Sequence, residues 1–259
     1  MPQAESGALH PSTPDDAGGL ITSIAFSLLI ITVIACGIRS WVAWMQKIAF
    51  SLDDTTFLIA TCLAVGQSVI TERAVDAGLG QHVSAVPEEN VTKVFKFLYA
   101  TRLLGLAAQS FAKLSVTFLF VRLVPHLSLW RFVSILSSIV AWSLFGLFAV
   151  AFQCGLPDPW TVPSPTCSTG GALFYPVGAL NIATDALLAG FIMPFAWSLK
   201  LQRSSKVLVC TLFGSRFIVC GLQAGQFAFL PRALHSSDPT CESLCLTHQT
   251  QTARRPGSN

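Results

Sequence analysis

An all-α, polytopic transmembrane helical bundle is the fold class this sequence predicts, on three observations. Hydrophobic residues make up 52% of the 259 and charged residues only 11%, where a soluble domain carries about 25% charged. Apolar runs of about 18 residues or more, long enough to cross about 30 Å of hydrocarbon as helix, recur along the chain. Mean hydropathy is +0.61. The net charge of +3 is too small to point to nucleic acid, so the partner these numbers call for is the lipid bilayer.

Charge punctuation sets the elements in order. The first span runs over 19–37 and is closed by Arg39. The second begins after Asp53 and Asp54 and reaches about residue 70. The third lies at 97–121, the fourth at 132–152, the fifth at 173–199 and the sixth at 207–230. Three regions follow: a polar extracellular leader (1–18), the helical bundle (19–230), and a tail (231–259) whose polarity and lack of periodicity predict disorder. The leader has no basic n-region or cleavage pattern, so the first span is expected to stay as an anchor. No inverted repeat of the transporter kind is visible.

Loop charges predict the orientation. Arg39, Lys47, Arg122, Arg131, Lys200, Arg203 and Lys206 cluster in the first, third and fifth connections, while the leader and the 153–172 loop have no Lys or Arg. The positive-inside rule puts those connections in the cytoplasm and the N-terminus outside or lumenal, in the plasma membrane or an endomembrane. Asn90-Val91-Thr92 is a glycosylation sequon in the second, outward loop. Cys154 and Cys167 bracket the fourth loop, which also faces outward, and are a candidate disulfide. Closing so short a loop would stabilise it by about 3 kcal/mol in the chain-entropy picture. Cys36, Cys62, Cys210 and Cys220 read as packing residues in or beside spans. Cys241 and Cys245 with His235 and His248 fit no familiar zinc spacing, so no metal site is expected.

The stretch ALNIATDALLAGFIMP, residues 179–194, poses the chemical question. A charge at the bilayer centre costs about 3 kcal/mol on insertion scales, so ionisable groups inside spans face the bundle interior and pair. Arg102, Lys113, Asp185 and Arg216 are the four such groups in the expected spans. At 1.5 Å per residue, Lys113, Asp185 and Arg216 fall within about 6 to 9 Å of one level, and Arg102 near an outer end is expected to snorkel. Asn181 and Asp185, four apart, share a helix face. A polar intramembrane centre of Lys113, Asn181, Asp185 and Arg216 follows. Its bland reading is an ion pair that fixes helix register; its sharper readings are a ligand or switch site, or a path for protons or ions.

Other features are architectural. Pro194 is expected to kink the fifth span. Gly221 and Gly225 allow close helix approach, and Trp41, Trp44, Trp130 and Trp197 fall where an interfacial belt sits. Gly78, Gly80 and His82 mark a flexible turn.

The order of landmarks resembles the fungal rhodopsin-like domain family, the Pth-type receptor-like integral membrane proteins of filamentous fungi. They run through Arg39, Asp53-Asp54, the Gly78-Gly80-His82 turn, Lys113-Leu114-Ser115 and Arg122. They continue through Cys154, Pro157, Trp160 and Cys167, then Asn181, Asp185 and Pro194, then Gly214-Ser215-Arg216. The resemblance implies seven helices, an outside N-terminus and a receptor-like membrane role, for which a small-molecule ligand and a heterotrimeric G protein are the partners to expect; some members of the family lie in mycotoxin clusters such as the satratoxin one. It does not imply retinal or another cofactor, since the Schiff-base lysine of retinal proteins usually sits in a seventh span. Where the family carries that span, the stretch after Thr240 is polar here, as a truncated or frame-shifted reading frame would leave it. The resemblance therefore leaves G-protein coupling as an expectation tied to the missing span.

An enzymatic role is the less expected one. No Ser-His-Asp set, metal-ligand motif or phosphate-binding glycine loop is apparent. A membrane-embedded enzyme of natural-product biosynthesis and a small-molecule transporter are the alternatives.

Overall fold

The computed structural model describes residues 18–45, 51–80, 87–123, 129–153 and 173–198, with Gly221 beside them. Five helices occupy these residues, and no strand occurs among them. They are α1 (Gly18–Met45), α2 (Leu52–Asp76), α3 (Glu88–Leu123), α4 (Leu129–Ala151) and α5 (Phe174–Ser198). Four of them, α1 to α4, have stretches long and apolar enough to cross a membrane. Apart from Gly221, the expected sixth span lies outside the described residues, as do the leader before Gly18 and the tail.

Helices α1, α2 and α3 overrun the apolar stretches that predict them, while α4 and α5 keep close to theirs. Whereas apolarity ends the first span at residue 37, α1 continues to Met45. It can do so because Arg39, which would otherwise stop it, turns to the acids that open α2. The 36 residues of α3 amount to about 54 Å, well beyond the about 30 Å of a hydrocarbon core, so its ends must tilt or project. Its first turns carry the exposed pair Lys93 Nζ to Glu89 Oε1 at 2.9 Å, which suits water rather than lipid. Asn90, expected in a loop, is therefore in the first turn of α3. Its N–H donates to the Pro87 carbonyl at 2.8 Å, because Pro87 can open a helix but cannot continue one.

Hydroxyls inside the apolar helices bond to their own backbone. Thr22, Thr32 and Ser143, for instance, donate to the carbonyl four residues back, which hides a polar group that lipid could not satisfy. The far end of α2 closes in a Schellman motif. The N–H of Leu79 donates to the Ala74 carbonyl and that of Gly78 to the Val75 carbonyl, both at 2.9 Å. Gly78 has φ of 114°, a conformation that glycine adopts without a Cβ clash. Leu79 then packs with Ala74, Val75 and Val94, so this part of the expected flexible turn has a defined geometry; His82 lies outside the described residues.

On α4, Ile135, Ile139, Trp142, Gly146 and Val150 are buried at spacings of three or four residues, one face of a helix. A Cβ on Gly146 would come within 2.8 Å of Leu106 Cδ2, so glycine there lets α4 close on α3. Phe120, Ile135, Ile139, Leu188 and Ala189 form a core shared by α3, α4 and α5. α5 stays helical through Pro194 to Ser198. Trp41, Trp44 and Trp130 are 62%, 72% and 79% exposed near helix ends, where an interfacial belt requires them.

Candidate functional site

Lys113 lies ten residues before the end of α3, and Asn181, Thr184 and Asp185 occupy one face of α5. The structure brings them together and buries them: Lys113 is 3% exposed, Asn181 and Thr184 6% and Asp185 7%. Lys113 Nζ donates to Thr184 Oγ1 at 2.6 Å, Asn181 Oδ1 at 2.7 Å and the Asn181 carbonyl at 3.1 Å. Asp185 Oδ1 stands at 3.4 Å as the ion-pair partner. Nζ also sits 4.1 Å from the centroid of the Trp142 ring, over its negative face. Trp142 Nε1–H in turn donates to the Val177 carbonyl at 3.1 Å. One ammonium thus joins three helices: α3 supplies the cation, α5 the oxygens and carboxylate, and α4 the aromatic face.

Local sequence explains the arrangement. Asn181, Thr184 and Asp185 follow an i, i+3, i+4 pattern, which one helix face presents together. Thr184 Oγ1 donates to the Asn181 carbonyl at 2.9 Å while accepting from Lys113, so its hydroxyl is oriented with its lone pair toward the ammonium. Thr117 Oγ1 bonds back to the Lys113 carbonyl at 2.9 Å. Thr184 and Trp142 are absent from the sequence-derived set. The signals for them were a threonine beside the aspartate and a tryptophan in the middle of a span rather than at its interface.

A second polar cluster ties α1, α2 and α3 at the end where α1 finishes and α2 begins. Arg39 bonds Asp53 Oδ2 through Nη2 at 2.7 Å and Asp54 Oδ1 through Nε at 3.1 Å. Arg122 Nη1 reaches Asp53 Oδ1 at 3.4 Å and Asp54 Oδ2 at 3.9 Å. The Arg39 guanidinium stacks 4.9 Å from the Phe57 ring centroid, and Ser115 Oγ–H donates to the Asp53 carbonyl at 2.8 Å. Both acids stand in the first turn of α2, where the helix dipole favours them. In sequence Arg39 and Arg122 served as loop charges and family landmarks, not as partners of Asp53 and Asp54.

Of the other expected site residues, Arg216, Cys154 and Cys167 lie outside the described residues, as do Cys210, Cys220, Cys241, Cys245, His235 and His248. Cys36 and Cys62 are free thiols. Arg102 is exposed on α3. Asn90 Oδ1 accepts from Lys93 Nζ at 3.3 Å.

Comparison with known proteins sets this geometry in a family. Residues 38–252 match the fungal rhodopsin domain. The chain is 30% identical over 204 residues to the "Polyenoic acids biosynthesis gene cluster protein Ba17b" of Metarhizium anisopliae, an alignment covering 72% of this chain and 54% of that protein. The chain therefore spans about half the length of that curated relative. No solved structure matches it. The match takes in the Lys113 centre and the Arg39 cluster alike, and this multi-pass membrane chain belongs to the fungal rhodopsin domain family.

Proposed function

We propose that this fungal rhodopsin-like membrane protein acts as a receptor-like component of a secondary-metabolite pathway, with the Lys113–Asp185 centre as its ligand-responsive seat. The observation that carries the reading is that buried centre. Intramembrane charges are expensive, and those that persist mark sites and switches by default. This one spans three helices, so a ligand that rearranged it would move α3, α4 and α5 relative to one another. The Metarhizium relative is named for a polyenoic acid biosynthesis cluster, which supports the pathway context. On this reading the N-terminus is outside or lumenal, Asn90 carries the glycan, Cys154 and Cys167 pair, and a heterotrimeric G protein is the partner on the Arg39 side.

Deleting the gene in its host and following both cluster transcripts and metabolites tests the role. Loss of a receptor silences the transcripts and the product together, and reintroducing Lys113→Met or Asp185→Asn protein at normal abundance fails to restore them. Accumulation of a precursor with transcripts intact replaces the receptor with a membrane-embedded enzyme. Trapping of finished product inside the cell replaces it with a transporter.

A further inference from the structure

The contacts around Lys113 are in the wrong order for a simple ion pair. An ammonium and a carboxylate that only fix helix register meet at about 2.7 to 2.9 Å. Here the short contacts go to neutral oxygens, Thr184 Oγ1 at 2.6 Å and Asn181 Oδ1 at 2.7 Å, with the Asn181 carbonyl at 3.1 Å. The carboxylate of Asp185 stands behind them at 3.4 Å. Three oxygens match the three N–H bonds of a primary ammonium. The Trp142 face at 4.1 Å covers a further side, and a desolvated cation gains most from such a ring.

We infer that this centre is a recognition cage for a primary alkylammonium, filled at rest by the chain's own Lys113. The ligand class it takes is an amine with an alkyl tail, which enters when the Lys113 side chain leaves. The cage is specific by geometry. A quaternary ammonium has no N–H for the three oxygens, and a planar guanidinium presents its donors in a fork rather than a tripod. Ile139 and Leu188 lie one turn along α4 and α5 from Trp142 and Asp185 and pack with Phe120, Ile135 and Ala189, so the layer beside the cage is hydrocarbon, as the alkyl part of such an amine requires. Wild-type protein resists external amines, because the tethered lysine competes at the effective concentration of an intramolecular group. The biological ligand class rests on the receptor reading above; the cage rests only on the geometry.

The test uses the full chain purified in detergent, with Lys113→Ala and propylamine as the probe. Alanine keeps Cβ, and propylammonium supplies the three missing carbons and the nitrogen. The variant melts below wild type, and saturating propylamine raises its midpoint by about 5 °C while leaving wild type unmoved. Methylamine and hexylamine do less, tetramethylammonium and butyrate nothing, and Lys113→Arg does not recover the wild-type midpoint. An unmoved midpoint with propylamine, or an equal rise with propanol, overturns the cage. If Lys113→Ala folds only when propylamine is present throughout preparation, that is rescue and supports it.

Should the variant fail to fold even then, Trp142→Phe and Trp142→Leu in the Lys113 background decide. Both lose the indole N–H, so a cation face predicts a clearly larger fall in midpoint for Leu than for Phe, and equal falls overturn the proposal. Gene deletion reads the receptor role without touching the cage. A silenced pathway without amine rescue therefore sinks the cage alone, and rescue without silencing sinks the receptor alone.

Discussion

The two polar clusters of this bundle use charge in opposite ways. At the Lys113 centre an ammonium, 3% exposed, makes its short contacts to neutral oxygens and a ring face, with the Asp185 carboxylate at 3.4 Å. At the Arg39 end two arginines share two aspartates, with side-chain exposures of 26% for Arg39, 38% for Arg122, 12% for Asp54 and 2% for Asp53. Where water is remote, an ion is stabilised by satisfying every N–H at close range, since each unsatisfied donor keeps its full desolvation cost. Nearer water, a network that mixes contacts of 2.7 and 3.1 Å from Arg39 with contacts of 3.4 and 3.9 Å from Arg122 is enough. The inner centre therefore suits recognition and the outer cluster suits fastening three helix ends.

The largest effect should come from breaking the inner centre. Lys113→Met leaves the Asp185 carboxylate buried without its ammonium and should cost about 3 to 5 kcal/mol. Asp185→Asn should cost less, because the short contacts of Lys113 survive it. The double variant should lie about 2 kcal/mol above the sum of the singles in stability. Thermal unfolding of all four proteins reads this coupling, and strict additivity would dissolve the contrast drawn above.

Asp53 sharpens the comparison within the outer cluster. It touches both arginines with its side chain 2% exposed, so Asp53→Asn should cost about 2 kcal/mol, while Asp54→Asn should cost under about 1 kcal/mol. Raising sodium chloride from about 0.05 to 0.5 M should shrink the effect of Arg122→Gln by about half, since exposed charges are screened. The effect of Lys113→Met should hold constant over that range. Equal salt sensitivity would place both clusters in the same environment.

The smallest effect marks the surface limit. Lys93 and Glu89 pair at 2.9 Å with side chains 52% and 84% exposed. Lys93→Gln should leave the melting midpoint where it was, although the contact is shorter than that between Lys113 and Asp185. A measurable drop would mean that the pair itself, and not only Val94 packing on the end of α2, holds this end of α3.

Hydropathy and charge order along the chain were enough for the membrane class and the helices α1 to α5, and the resemblance in ordered landmark residues was enough for the family. They also sufficed to single out Lys113, Asn181 and Asp185. The cost of a charge or amide in an apolar run depends on its immediate neighbours in sequence, so it can be read one residue at a time. Helix ends were less legible, because α1 and α3 run past their apolar stretches on the strength of Arg39 meeting Asp53 and Asp54 and of Lys93 meeting Glu89. Only the tertiary structure decided that Thr184 and Trp142 complete the inner centre. It also decided that Arg39 and Arg122 converge on Asp53. Those contacts depend on the rotation and register of helices whose partners lie up to 71 residues apart, and a hydropathy pattern, being one-dimensional, carries neither.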